Sequence, residues 1–167
     1  AKSGVTGKVV EVILNNEYRG IYSLTEAMDR KELKLKKYDD KNQEFHGQLW
    51  KVSSWDKATF WDIDKDYDNT QETWHAFETK YPDIDDVNPT DYSPLYEAID
   101  FVVNSNDETF KKEVGDYFDI PVLIDYQLFQ ETLKPVDNNG KNMYWGIYDV
   151  AESQKLTLAI WDLDASV

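Results

Sequence analysis

One change of hydrophobic period, near residue 88, constrains the fold more than any other feature of the sequence. Before it, β-branched and aromatic residues come in short runs cut by turn residues; after it, apolar residues recur at helical spacing. Val9 to Leu14 alternates weakly and is rich in Val and Ile, Asn15-Asn16-Glu17 is a turn signal, and Tyr18 to Leu24 is β-rich again. Residues 9–25 therefore read as a hairpin. Thr25 to Met28 shifts to helix formers, and Asp29 to Lys37 reads as a basic stretch with a helical turn. Residues 38–44 read as a polar loop. Gly47 to Val52 reads as a strand, 56–73 is the least regular part, and Trp74 to Tyr81 reads as one strand ending at Pro82. The loop holding Asp83, Asp85, Asp86, Asn88 and Pro89 marks a boundary between two lobes.

Past that boundary, Ser93-Pro94 opens a helix, with Ser as cap and Pro in the first turn. Leu95, Ile99, Val102 and Val103 share one of its faces. Ser105 with Glu108 suggests a capping box for a second helix carrying Phe110, Val114 and Phe118. Asp119 caps a third, with Ile120, Leu123, Ile124, Leu128 and Phe129 as its apolar stripe. Met143–Val150 and Lys155–Ile160 read as strands joined by a turn at Glu152-Ser153. The expected class is α+β: a strand-rich lobe over 1–88, then a helical lobe over 89–167 that closes with a β-hairpin.

Composition narrows the function. The 167 residues carry 33 acidic against 18 basic side chains, a net charge of −15. Such a surface disfavours nucleic acid and anionic membrane and suits divalent cations. Without cysteine there is no disulfide, thiolate zinc site or cysteine nucleophile. No apolar run is long enough to span a bilayer, and no signal-like stretch opens the chain. A start without Met and an end just after a strand suggest an excised domain or fragment of a longer protein.

Chemistry concentrates at the end of the chain. Asp137 is followed five positions later by Asn142, then by the hairpin, and the last strand empties into Trp161-Asp162-Leu163-Asp164. Alone, Asp137-Asn138-Asn139-Gly140 is simply a good turn. With the hairpin and Asp162 behind it, the order is that of protein-kinase-like enzymes: a catalytic Asp, a metal-binding Asn, then a metal-binding Asp at a strand end. Three oxygen-bearing side chains suit Mg²⁺ and a triphosphate. Asp162 and Asp164 alternate along the chain, so Asp164 is a second ligand only if the backbone turns there. In the first half, Lys51 and Lys80 are the basic candidates for phosphate, with Glu26 a candidate partner of Lys51, and no Gly-x-Gly-x-x-Gly loop is present. Asp62 to Asp68 looks like the start of a calcium loop, but it lacks the required Gly and has His75 where the final Glu belongs. Trp50, Trp61, Trp74, Trp145 and Trp161 lie in or beside strands, and core packing accounts for most of them.

The blocks Asn15-Asn16-Glu17-Tyr18-Arg19-Gly20-Ile21-Tyr22-Ser23-Leu24-Thr25-Glu26 with Asp29-Arg30, then Gly47-Gln48-Leu49-Trp50-Lys51, Asp137 through Asn142-Met143-Tyr144, and Trp161-Asp162-Leu163-Asp164 resemble, in family order, the CotH family of spore-coat-protein-H-like kinases. The resemblance implies an atypical protein-kinase-like fold. It also implies a Ser/Thr protein kinase of the bacterial surface or exterior, acting with ATP and Mg²⁺ or Mn²⁺ on a surface or coat protein. By position, Asp137 is then the catalytic Asp, Asn142 and Asp162 are metal ligands with Asp164 as a further one, and Lys51 with Glu26 would hold the nucleotide. Two other readings stand beside it. One is a non-catalytic module binding protein or polysaccharide on a degenerate kinase fold; the other is a calcium-stabilised structural domain.

Overall fold

A computed structural model describes residues 5–55, 60, 62–63 and 66–163. The protein is α+β. Strands β1 (Gly7–Leu14) and β2 (Glu17–Thr25) form a two-stranded antiparallel sheet of their own. Asn15 and Asn16, both at positive φ, make its two-residue turn, the conformation a tight hairpin needs and one that Asn tolerates. Gly20 sits at φ 104°, where the pairing slips by one residue opposite Val12 and Ile13. Val9, Ile13, Tyr18, Ile21 and Leu24 remain exposed on this hairpin.

The second sheet has five antiparallel strands in the order β4-β5-β3-β6-β7, from Thr73–Trp74, Phe77–Tyr81, Gln48–Val52, Met143–Ile147 and Thr157–Ile160. It joins the two halves of the chain. The boundary near residue 88 does not separate two sheets, because β6 pairs directly with β3. The expected single strand over 74–81 is also two strands. His75 and Ala76 both take positive φ, so the chain reverses between Trp74 and Phe77. Neither residue is a usual turn former, which is why aromatic alternation concealed the reversal.

Each face of this sheet builds a core. On one, Trp50, Val52, Trp74, Phe77, Met143, Trp145 and Leu158 meet Tyr92, Leu95 and Ile99 of helix α1 (Ser93–Asn104) and its approach. Phe60 stacks on Trp145 with ring centroids 5.0 Å apart. Phe77 and Leu95 are fully buried, each worth about 2 kcal/mol of apolar transfer. Tyr92 pins α1 to the sheet: its hydroxyl donates to the Glu72 carbonyl at 2.6 Å and accepts from Thr79 Oγ1 at 2.8 Å. On the other face, Met28, Leu33 and Leu35 cover Leu49, Tyr144 and Ala159.

The helices begin one residue away from two of the expected caps. Ser93 is the first helical residue of α1, not its cap; its N–H and hydroxyl both donate to Asp91 Oδ1. Helix α2 (Asp107–Tyr117) is capped by Asn106, whose Oδ1 accepts from the N–H groups of Glu108 and Thr109. Neither Ser105 nor a capping box starts it. Asp119 does occupy the N-cap of α3 (Ile120–Leu133), but its side chain makes no capping bond. The apolar residues of α3 do not form one buried stripe. Ile120 and Leu123 pack against the core, while Ile124 and Leu128 are exposed. No helix among the described residues is long and apolar enough to cross a membrane.

Candidate functional site

The end of α3 sets up the turn that carries Asp137. Pro135 disfavours helical backbone in the residue before it, and Lys134 closes α3 in the left-handed region at φ 45°. Residues Val136–Asn139 then form one 3₁₀ turn, leading through Gly140 into β6. Gly140 is buried against Trp55; a Cβ there would stand 3.1 Å from the indole Cε3, so a side chain would push the turn off that ring.

The same turn is tied to the far end of β7. Met143 pairs with Ile160 in the β6–β7 ladder, and one step further the Trp161 N–H donates to the Asn142 carbonyl at 2.8 Å. Asn142 and Asp162 are thereby brought to the same open end of the hairpin. Both take left-handed backbone, at φ 54° and 60°, a conformation more accessible to Asn and Asp than to most residues. Asn138 locks the junction. Its Nδ2 donates to the carbonyls of Asn142 and Trp161, each at 2.8 Å. Its own carbonyl accepts from Gln130 Nε2 at 2.8 Å and from the Tyr126 hydroxyl, both on α3. Burial raises the pKa of that Tyr126 hydroxyl, so it stays a donor at neutral pH.

Of the candidate residues, Asp137, Asn142 and Asp162 therefore belong to one connected piece of backbone. Asp137 is about one-third exposed, with Lys141 Nζ 3.7 Å from its Oδ2, and Asp162 is exposed. Asp164 lies outside the described residues. Among those residues, no three His, Cys, Asp or Glu side chains are placed to hold a metal. The hairpin-end set has only two carboxylates, and its third oxygen belongs to an amide. These are hard oxygen donors, a composition that fits Mg²⁺ or Mn²⁺ and not a soft metal.

Lys51 and Glu26 are not paired. The Glu26 carboxylate accepts from the Thr6 hydroxyl at 2.7 Å and the Thr6 N–H at 2.9 Å, bonds that lower its pKa. The hairpin strand end holds it there. Lys51 sits in the central strand, directly across from Glu78 on one side and Tyr144 on the other. Glu78 is thus the carboxylate that shares its face of the sheet. Lys80, on the same strand as Glu78, pairs with that carboxylate. In the acidic stretch, Asp68 is occupied locally, accepting from the N–H and hydroxyl of Thr70, while Asp64 lies outside the described residues.

Sequence reasoning missed two polar centres. Asn138 was hidden in a turn motif, because its two carbonyl partners are 4 and 23 residues away. Asp149, just past β6, accepts from Lys36 Nζ and from His46 Nδ1, each at 2.7 Å, and from the Ala151 N–H at 3.1 Å. A carboxylate only accepts, so His46 Nδ1 carries the proton. Burial pushes the Asp149 pKa upward, but these donors outweigh it and hold it at about 2. The cluster fastens the 36–46 segment beside the β6–β7 turn, alongside the Lys36 N–H to Tyr148 carbonyl bond at 2.9 Å.

Fold and site together define an α+β domain in which a helix, an Asp-bearing turn and a β-hairpin converge on one acidic, oxygen-rich end. The sequence model of the CotH kinase protein family matches residues 4–167, and the chain belongs to that family. A comparison with curated proteins finds no match.

Proposed function

We propose that this domain binds ATP with Mg²⁺ or Mn²⁺ and transfers the γ-phosphoryl group to a Ser or Thr hydroxyl of a bacterial surface or coat protein. The observation that carries this reading is the junction of Asn142 and Asp162 at the hairpin end beside the Asp137 turn, in a chain of the CotH kinase family. Asn142 and Asp162 would hold the cation, which when bound neutralises phosphate charge. Asp137 would orient the acceptor hydroxyl. The hydroxyl oxygen bonds to the γ-phosphorus as its bond to the β,γ-bridging oxygen breaks, ADP leaves, and Asp137 accepts the hydroxyl proton. Lys51 is kept as a phosphate-binding candidate, with Glu78, directly opposite it in the ladder and also paired with Lys80, in place of Glu26 as the carboxylate that would orient it. Asp164 is a further proposed ligand.

The test is calorimetric titration of ATP into the protein with Mn²⁺, with Mg²⁺ and without metal, followed by the same titrations on Asp162→Ala. Metal-dependent binding that the substitution removes supports the site. Binding unaffected by Asp162→Ala would reject the ligand assignment. Absence of nucleotide binding, with retained protein or polysaccharide binding, would favour a non-catalytic surface module.

A further inference from the structure

We infer that Asn138 is the positioning residue of this site: its buried amide fixes Asn142 and Asp162 relative to Asp137. The inference rests on the proposed nucleotide site for its functional meaning, while its geometric content stands on the hydrogen bonds alone. Asn138 is 1 % exposed, between Asp137 and the loop to β6. Both hydrogens of its Nδ2 are spent on the carbonyls of Asn142 and Trp161. Those carbonyls belong to one proposed ligand and to the residue before the other. Turning the amide over would set its oxygen against two carbonyl oxygens, so the orientation is fixed. Its Oδ1 is buried and accepts no hydrogen bond among the described residues. A buried acceptor left unmatched is costly, and an apolar residue would avoid that cost if the position needed only to be filled. What an apolar residue cannot do is donate twice, to the carbonyls just before β6 and just after β7.

The main-chain carbonyl of the same residue anchors the turn to Tyr126 and Gln130 of α3. One residue thus references three pieces of backbone: the helix, the Asp137 turn and the hairpin end. Holding oxygen ligands to within a fraction of an ångström is what such support contributes to a metal site. Asn138 touches no reacting atom in this account and acts only through Asn142 and Asp162.

Two measurements on Asn138→Leu, which keeps the branched shape and the number of side-chain heavy atoms and removes both donors, test this. The first needs no ligand. Amide hydrogen exchange at Trp161, whose N–H bonds Asn142, should quicken about tenfold or more while β3–β5 amides keep their protection. Unchanged Trp161 protection overturns the inference. The second is a double-mutant cycle on Mn²⁺-ATP affinity. Asn138→Leu and Asn142→Ala should each weaken binding about tenfold, and the double variant should be no weaker than either alone. Additive losses would mean that Asn138 contributes only general stability, and would overturn it. If Asn138→Leu does not fold, Asn138→Ser, whose hydroxyl can reach one carbonyl at most, should show the same changes at smaller size. Loss of Trp161 protection in a protein that binds no nucleotide would uphold the positioning role and reject the proposed function instead.

Discussion

Asp149→Asn should destabilise the domain at neutral pH by an amount that shrinks on acidification. Asp149 is nearly buried, with its side chain 7 % exposed, and is held by Lys36 and His46. Its pKa falls from 3.8 to about 2, a difference worth about 2 kcal/mol of folding free energy at neutral pH. Lys36 is half exposed and can be rehydrated when its partner is lost, which keeps the cost below that of breaking a fully buried pair. The sign follows from the depression. This stability is complete above the unfolded-state pKa near 4 and is lost as pH falls through about 2. Melting of the two proteins by circular dichroism from pH 7 to pH 2 should show a gap of roughly 4–8 °C at neutral pH. The gap should close below pH 4. A gap that stays constant to pH 2 would show that Asp149 contributes packing and not charge, and would refute the reasoning.

Three further outcomes follow from the packing. Gly47→Ala would place a Cβ 2.6 Å from both Leu35 Cβ and the Lys36 carbonyl, so thermal melting should show a loss of about 1–3 kcal/mol from overpacking. Tyr92→Phe removes the hydroxyl bonded to Glu72 and Thr79 and should cost about 1–2 kcal/mol in urea unfolding, with an unchanged slope. Asn106→Ala removes the α2 cap and should cost about 1 kcal/mol, read as faster amide exchange in the first turn of α2.

Where one signal sufficed, the sequence read correctly. The β1–β2 hairpin follows from an Asn-Asn turn between β-branched runs, and the β6–β7 hairpin from two short apolar runs around polar residues. Trp50, Trp74 and Trp145 are core residues, as their place in strands suggested. Errors arose where tertiary contacts decide. The reversal at His75-Ala76 uses left-handed backbone without Gly or Asn, so no turn residue announces it. At α2, two adjacent polar residues could each cap, and the chain starts its helix one residue later than the Ser105–Glu108 spacing suggested. In α3, apolar residues occur around the whole helix, and periodicity could not show which side meets the sheet. Glu26 was matched to Lys51 by kinase order, yet Thr6 lies at the end of the adjoining strand and takes the carboxylate first. At the site, the order Asp137, Asn142, Asp162 was legible, while Asn138, which joins them, depends on partners that only the folded hairpin supplies.

The central claim is a cation-dependent nucleotide site at the hairpin end. The most direct measurement is the melting temperature with ATP, with ATP and Mn²⁺, and with Mn²⁺ alone, for the protein and for Asp162→Ala. At nucleotide about one hundredfold over its Kd, binding adds roughly 2.7 kcal/mol, or about 5–10 °C for a domain of this size. The expected result is that rise with ATP and Mn²⁺ together, absent with either alone and absent in Asp162→Ala, each rise being read against that protein's own unliganded melting, because Ala at φ 60° is less favourable than Asp. A rise that persists undiminished in Asp162→Ala, or no rise at saturating ATP and Mn²⁺, would contradict the account.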